Sequence, residues 1–165
     1  MKVKTYVLVG AAVLLNMSAA SKDVRSEGLS PGDLAPRIES LGNERNFNFQ
    51  NHSNRYTLLN FWAAYDAESR VRNIRLVNEV ERLGVDRIAM CSISMDESHS
   101  IFSETVRIDN LSQTTQFHAE AGKSSKLYRQ YNLKKGFNNF LIDEAGVIVA
   151  KNVTPEDLKQ MMSKE

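Results

Sequence analysis

Apolar residues along the chain change their period several times, and each change marks an element. Tyr56 to Trp62 (Tyr-Thr-Leu-Leu-Asn-Phe-Trp) is a near-continuous apolar, β-prone run. That is the pattern of a strand covered on both faces. The period then turns helical: Val71, Ile74, Val77, Val80 and Leu83 recur three apart, with Arg70, Arg72, Arg75, Asn78, Glu79 and Arg82 between them. The spacing predicts an amphipathic helix stopped by Gly84. Arg87 to Met95 reads as a second buried strand, Asp96 to Ser100 as a polar loop and Ser100 to Val106 as a short helix. Leu127, Tyr128 and Tyr131 share one side of a helix predicted over 123–131. Asn139 to Ile142 and Val147 to Ala150 are two short strands. Asp143-Glu144-Ala145-Gly146 between them is turn chemistry, so an antiparallel hairpin is expected. Phe47 to Ser53 is expected to form a short edge strand and turn.

The last helix has the clearest start. Thr154 is a good N-cap, Pro155 occupies the first helical position, and Asp157 falls third, where its amide meets the cap hydroxyl. Leu158 and Met161 are expected to face the sheet. The order is strand, helix, strand, helix, strand, strand, helix. A parallel βαβ half followed by a hairpin and helix gives an α/β fold, a mixed sheet with helices on both faces.

Composition narrows the class. The 165 residues are 42% hydrophobic and 25% charged, with a formal net charge of +1. One globular domain fits that length, and no global field points to nucleic acid or a membrane surface as partner. Lys2 and Lys4 precede an apolar run from Tyr6 to Leu15, and Ser18 and Ala20 are small residues at signal-peptidase spacing. Residues 1–20 therefore read as a cleaved signal peptide, 21–30 as a flexible polar leader, and 31–165 as the domain. An uncleaved N-terminal anchor is the competing reading, although the run is short for a bilayer. The expected location is periplasmic or secreted, with no stable membrane insertion after cleavage. Such compartments favour disulfides, yet the chain holds a single cysteine, Cys91. It cannot form an internal bridge or a Cys-rich metal site.

Several local motifs occur together in a telling order. Leu59-Asn60-Phe61-Trp62-Ala63-Ala64-Tyr65 resembles the strand leading into the redox motif of the thioredoxin-like redoxins, in particular the exported cytochrome-maturation type. Gly32-Asp33-Leu34-Ala35-Pro36 resembles their Gly-x-x-Ala-Pro opening. Phe140-Leu141-Ile142-Asp143 with Gly146-Val147-Ile148-Val149 resembles their final hairpin. The resemblance implies a three-layer α/β/α thioredoxin-like fold and an ancestral thiol–disulfide oxidoreductase activity. Where that family carries Cys-x-x-Cys, this chain has Asp66-Ala67-Glu68-Ser69. Where it carries a cis-proline facing the motif, this chain has Phe137, followed by Asn138 and Asn139. A cis bond before a non-proline residue costs about 2.5–4 kcal/mol, so a trans bond is expected there.

Thiol exchange needs an attacking thiolate and a resolving thiol. Asp66 and Ser69 supply neither, and no histidine stands near Ser69 in sequence as a base. Asp66 is expected to cap the following helix and Glu68 to sit in its first turn, where amides and macrodipole favour negative charge. The competing reading makes the pair an acidic spot for a cation, a basic peptide or acid–base chemistry. Cys91, mid-strand, is expected to pack as a small hydrophobe; as a candidate reactive thiol it would need exposure and a lowered pKa. Trp62 is expected to be half-buried support and Tyr65 exposed. His52, His99 and His118 show no metal spacing and are expected at the surface. No cofactor and no metal are expected.

The favoured function is a non-catalytic binding module. It would hold a periplasmic protein or peptide between the turn at Tyr65–Ser69, beside Trp62, and the loop at Lys135–Asn139, with Phe137 and Asn138. The alternatives are residual thiol chemistry through Cys91 or a partner's cysteines, and a carboxylate site at Asp66 and Glu68.

Overall fold

The computed structural model describes residues 25–39, 41, 49, 56–84 and 86–163. The expected signal peptide and nearly all of the expected edge strand at Phe47–Ser53, His52 included, lie outside these residues. Phe49 is buried in the core.

The described elements are β1 (Tyr56–Trp62), α1 (Ala67–Leu83), β2 (Ile88–Ser94), α2 (His99–Ile108), β3 (Gln116–His118), α3 (Lys126–Gln130), β4 (Asn139–Ile142), β5 (Ile148–Lys151) and α4 (Pro155–Met162). Short 3-10 turns at Gly122–Ser124 and Leu133–Lys135 flank α3. Among the described residues the strands form one sheet in the order β3-β2-β1-β4-β5. β1 runs parallel to β2 and antiparallel to β4, with Leu59 opposite Cys91 on one side and Phe140 on the other. β4 and β5 form the expected antiparallel hairpin. The Asp143 carboxylate closes its turn by accepting from the amides of Ala145 and Val147, both at 2.9 Å.

Alternation along the strands divides the core in two. Leu59, Phe61, Cys91, Ile93, Phe140 and Ile142 face one way, against Leu127, Tyr131, Leu133 and the Ala35–Ile38 segment. Leu58, Trp62, Ile88 and Leu141 face the other, against Leu76, Val77 and Val80 of α1, Val106 just before the end of α2, and Leu158 and Met162 of α4. The sheet therefore lies between two helical layers. Each large apolar side chain so buried is worth about 1.5–3 kcal/mol against leaving it in water.

Four expectations need correction. β3 is an added strand, three residues long, placed by parallel pairing of Ser92–Ser94 with Gln116–His118. The helix expected over 123–131 is only Lys126–Gln130, preceded by a 3-10 turn. α2 extends beyond its expected ends to His99 and Ile108. In α4 the deeply buried methionine is Met162, while Met161 is only partly covered. Residues 26–30 are bonded to the segment that opens the domain: Gly28 donates to Leu34 O at 3.1 Å and Leu34 to Ser26 O at 3.0 Å.

Candidate functional site

β1 carries the chain to the end of the sheet, and the turn at Ala63–Tyr65 delivers it into α1. Asp66 is the N-cap of that helix in extended conformation (φ −111°, ψ 96°). Its carboxylate accepts from the Ser69 amide at 2.8 Å. Ser69 is 1% exposed. Its hydroxyl donates to Asp66 O at 3.1 Å and accepts from the Ala63 amide at 3.3 Å. Both positions that the resemblance assigns to cysteine are thus occupied by groups that build the turn. The Ser69 hydroxyl has no base within its hydrogen bonds, so it is not an activated nucleophile.

Asp96 holds the turn from below. It is 2% exposed and accepts the Ala64 amide at 3.1 and 3.0 Å and the Ser94 hydroxyl at 2.7 Å. These are charge-assisted bonds, stronger than neutral ones. The sequence reading placed Asp96 in a polar loop and missed this role. Only the parallel register of β1 and β2, which sets Trp62 opposite Ser94, brings it under Ala64.

The loop at Lys135–Asn139 does face the turn. Asn138 O accepts from the Phe61 amide at 3.1 Å, and Phe137 O accepts from Arg72 Nη2 at 2.6 Å. No peptide bond among the described residues is cis, so Phe137 sits in a trans loop as expected. The Phe137 and Tyr65 rings lie 6.2 Å apart at 57°. Tyr65 is 55% exposed, and Lys123 Nζ stands 4.8 Å over its ring. Partial desolvation, with smaller contributions from Tyr128 and the carboxylates of Asp96, Asp66 and Glu97, pushes its phenol up to about 12. The phenol is therefore neutral at physiological pH. Between α1, this loop and the start of α4 lies a groove of about 880 Å³, lined by Asp66, Glu68, Val71, Arg72, Phe137 and Thr154 among others.

Other candidates fall elsewhere. Trp62 is not half-buried: it is 0% exposed and packs 6.3 Å from Phe102, because the adjoining α2 covers it. His118 is not at the surface either. It is 8% exposed, stacked on Phe102 at 5.1 Å, and its Nε2 donates to Asp96 O at 2.6 Å. His99 is exposed but its ring lies 5.5 Å from that of His118. Sequence distance hid this proximity, which β3 and α2 create together. Among the described residues no group of three or more His, Cys, Asp or Glu side chains is placed to hold a metal ion. Cys91 is 2% exposed, and burial pushes its thiol up, away from the thiolate. That environment belongs to a packing cysteine rather than a reactive one.

The chain is similar to a thioredoxin-like protein from Parabacteroides distasonis. Identity is 61% over 84% of this chain and 98% of that one, with a TM-score of 0.78. A thiol-disulfide oxidoreductase from Bacteroides fragilis is 29% identical over 80% of this chain and 98% of its own, with a TM-score of 0.63. The thioredoxin domain of a thiol-disulfide oxidoreductase from Bacteroides vulgatus shares the fold, with a TM-score of 0.69 at 22% identity over 83% and 98% of the two chains. No family model and no curated protein matches the chain.

Proposed function

The chain belongs to the thioredoxin-like family, and from that membership we propose that it is an exported, non-catalytic member that holds a protein or peptide in the groove beside its former redox turn. One observation carries the reading. Both thiol positions are closed by bonds within the turn, while the groove next to them stays open between Val71, Phe137 and Thr154, with Tyr65 against the Phe137 ring at its edge. Dithiol exchange lacks its sulfur there, but a surface able to receive a chain persists. Export is supported by Lys2 and Lys4, the apolar run Tyr6–Leu15 and the small residue Ala20. Nothing favours thiol chemistry through Cys91, which is sealed in the sheet.

The test is capture from periplasmic extract on immobilised chain beginning at Ser21, beside the double variant Tyr65→Ala with Phe137→Ala. The captured set should be lost in the variant, with its melting transition retained, and neither protein should reduce insulin above background. Unchanged capture by the folded variant, or insulin turnover by the native chain, overturns the reading. N-terminal sequencing of the exported protein should begin at Ser21.

A further inference from the structure

Three arginines of this fold are closely paired with carboxylates. Arg70 Nε donates to Asp109 at 2.7 Å, Arg82 pairs with Glu79, and Arg107 Nε donates to Glu104 at 2.9 Å. Arg72, on the groove wall, has no such close pair among the described residues. Its side chain is only 25% exposed, its Nη2 is used by a backbone carbonyl, and its Nε is buried without a partner among the described residues. Its nearest carboxylate, Glu68, stands 3.9 Å from Nη1 and is 91% exposed. A guanidinium offers five donors, and a charge taken out of water without a close counter-ion is costly. Burial accordingly holds Arg72 below the usual guanidinium range, against the pull of Glu68 and Asp66.

Arg72 is not alone. Arg75, one helical turn further along α1, and Lys135, on the facing loop, line the same groove. Neither has a carboxylate at ion-pair distance among the described residues. The groove also holds the carboxylates of Asp66, Glu68 and Glu156, but the nearest approach to these cations is Glu68 at 3.9 Å from Arg72. Asp66 is used by the Ser69 amide. Glu68 and Glu156 sit in the first turns of α1 and α4, where the helix dipole offsets their charge.

Resting on the groove reading above, we propose that the occupant is an acidic peptide segment whose side-chain carboxylate pairs with Arg72, with neighbouring acidic residues over Arg75 and Lys135. Three cations along one groove suit successive acidic side chains better than a single chain-terminal carboxylate. Arg72 Nη1, which no backbone carbonyl among the described residues uses, is the donor left to meet a carboxylate with a charge-assisted bond. Val71, 47% exposed, and Phe137 give apolar contact beside it.

The experiment uses the chain from Ser21 and fluorescent peptides of one length, acetylated and amidated: an Asp/Glu-rich one, its Asn/Gln isostere and a Lys-rich one. A fourth, neutral peptide carries a free C-terminus. The acidic peptide should bind about tenfold or more tighter than its isostere. The difference should shrink in about 0.5 M salt. Arg72→Gln should erase the preference and Arg72→Lys restore part of it. Arg75→Gln and Lys135→Gln, both away from the Phe137 carbonyl contact, should each reduce it while leaving the melting transition in place. Equal binding of acid and isostere overturns the charge assignment and leaves the groove reading standing. Tighter binding of the free-terminus peptide overturns the side-chain assignment. Failure of every peptide to bind overturns the groove reading itself.

Discussion

Asp66 and Ser69 are bonded to each other: the Asp66 carboxylate takes the Ser69 amide at 2.8 Å, and the Ser69 hydroxyl returns to Asp66 O at 3.1 Å. The two residues standing where the family keeps its sulfur pair thus form the first turn of α1. Replacing a capping Asp by Ala typically removes about 1 kcal/mol, within a range of about 0.5–2. Asp66→Ala should therefore lower the urea midpoint by that free energy divided by m, at unchanged slope. Asp66→Asn, which keeps an acceptor at the cap, should lose far less. No shift in Asp66→Ala would mean that the cap does not hold the turn.

Behind that turn runs a buried polar chain. Asn73 Oδ1 accepts from Asn60 Nδ2 at 3.0 Å and from the Ser92 hydroxyl, and Asn73 Nδ2 donates to Gln116 at 3.1 Å. Asn60, Asn73 and Ser92 are 0% exposed and Gln116 is 4% exposed. Through these bonds α1 is tied to three strands. Asn73→Leu strips Gln116 Oε1 of its partner and leaves Asn60 and Ser92 only the bond between them, in a dry layer, and should cost roughly 2–4 kcal/mol. Asn78→Ala, exposed on the same helix, should stay within about 0.5 kcal/mol of the native chain. Equal chemical-denaturation curves for the two variants would show the network to be energetically idle.

Local pattern carried much of the fold. The apolar run of β1, the helical period of α1, the turn between β4 and β5 and the Thr154–Pro155–Asp157 start of α4 are each encoded within a few residues, and each stands where the pattern put it. Non-local pairing carried the rest. β3 has one apolar residue, Phe117, between Gln116 and His118, so its strand character comes from the edge of β2 and from nothing in its own sequence. Met161 and Met162 differ by one helical step, and α4 is too short for periodicity to decide between them. At the site, the Asp66 cap follows from its own neighbours. The Asp96 clamp, the Arg72 contact with Phe137 O and the His99–His118 proximity each join residues brought together only by the sheet register.

The capping box of α4 gives a defined acid response. The Asp157 carboxylate accepts from the Thr154 amide and hydroxyl, both at 2.8 Å, and these bonds hold it below the usual carboxylate range. A group whose folded pKa is depressed stabilises the fold above its unfolded value, about 3.9 for Asp, and loses that contribution as pH falls through the folded value. Melting temperatures of the native chain and Asp157→Asn should therefore differ above about pH 4 and converge below it. A gap that persists undiminished at pH 2 would place the effect outside this titration.

Restoring sulfur tests the register directly. In Asp66→Cys with Ser69→Cys, the first thiol stands at the N-terminus of a 17-residue helix, where amides and dipole favour the thiolate. The second stands one turn inside, at a position 1% exposed, suited to resolving rather than attacking. Cys91 is sealed in the sheet and should not label in the native state, so the pair can be followed without interference. The double variant should oxidise to one internal bridge and reduce insulin above the native background, at some loss of stability from the missing cap. Adding Phe137→Pro in the facing loop should raise turnover further, because that loop lies against the turn through the Tyr65–Phe137 contact. A bridge that forms without turnover would assign the remaining defect to the loop. Two thiols that stay free under oxidation would show that this corner is not where the family does its chemistry.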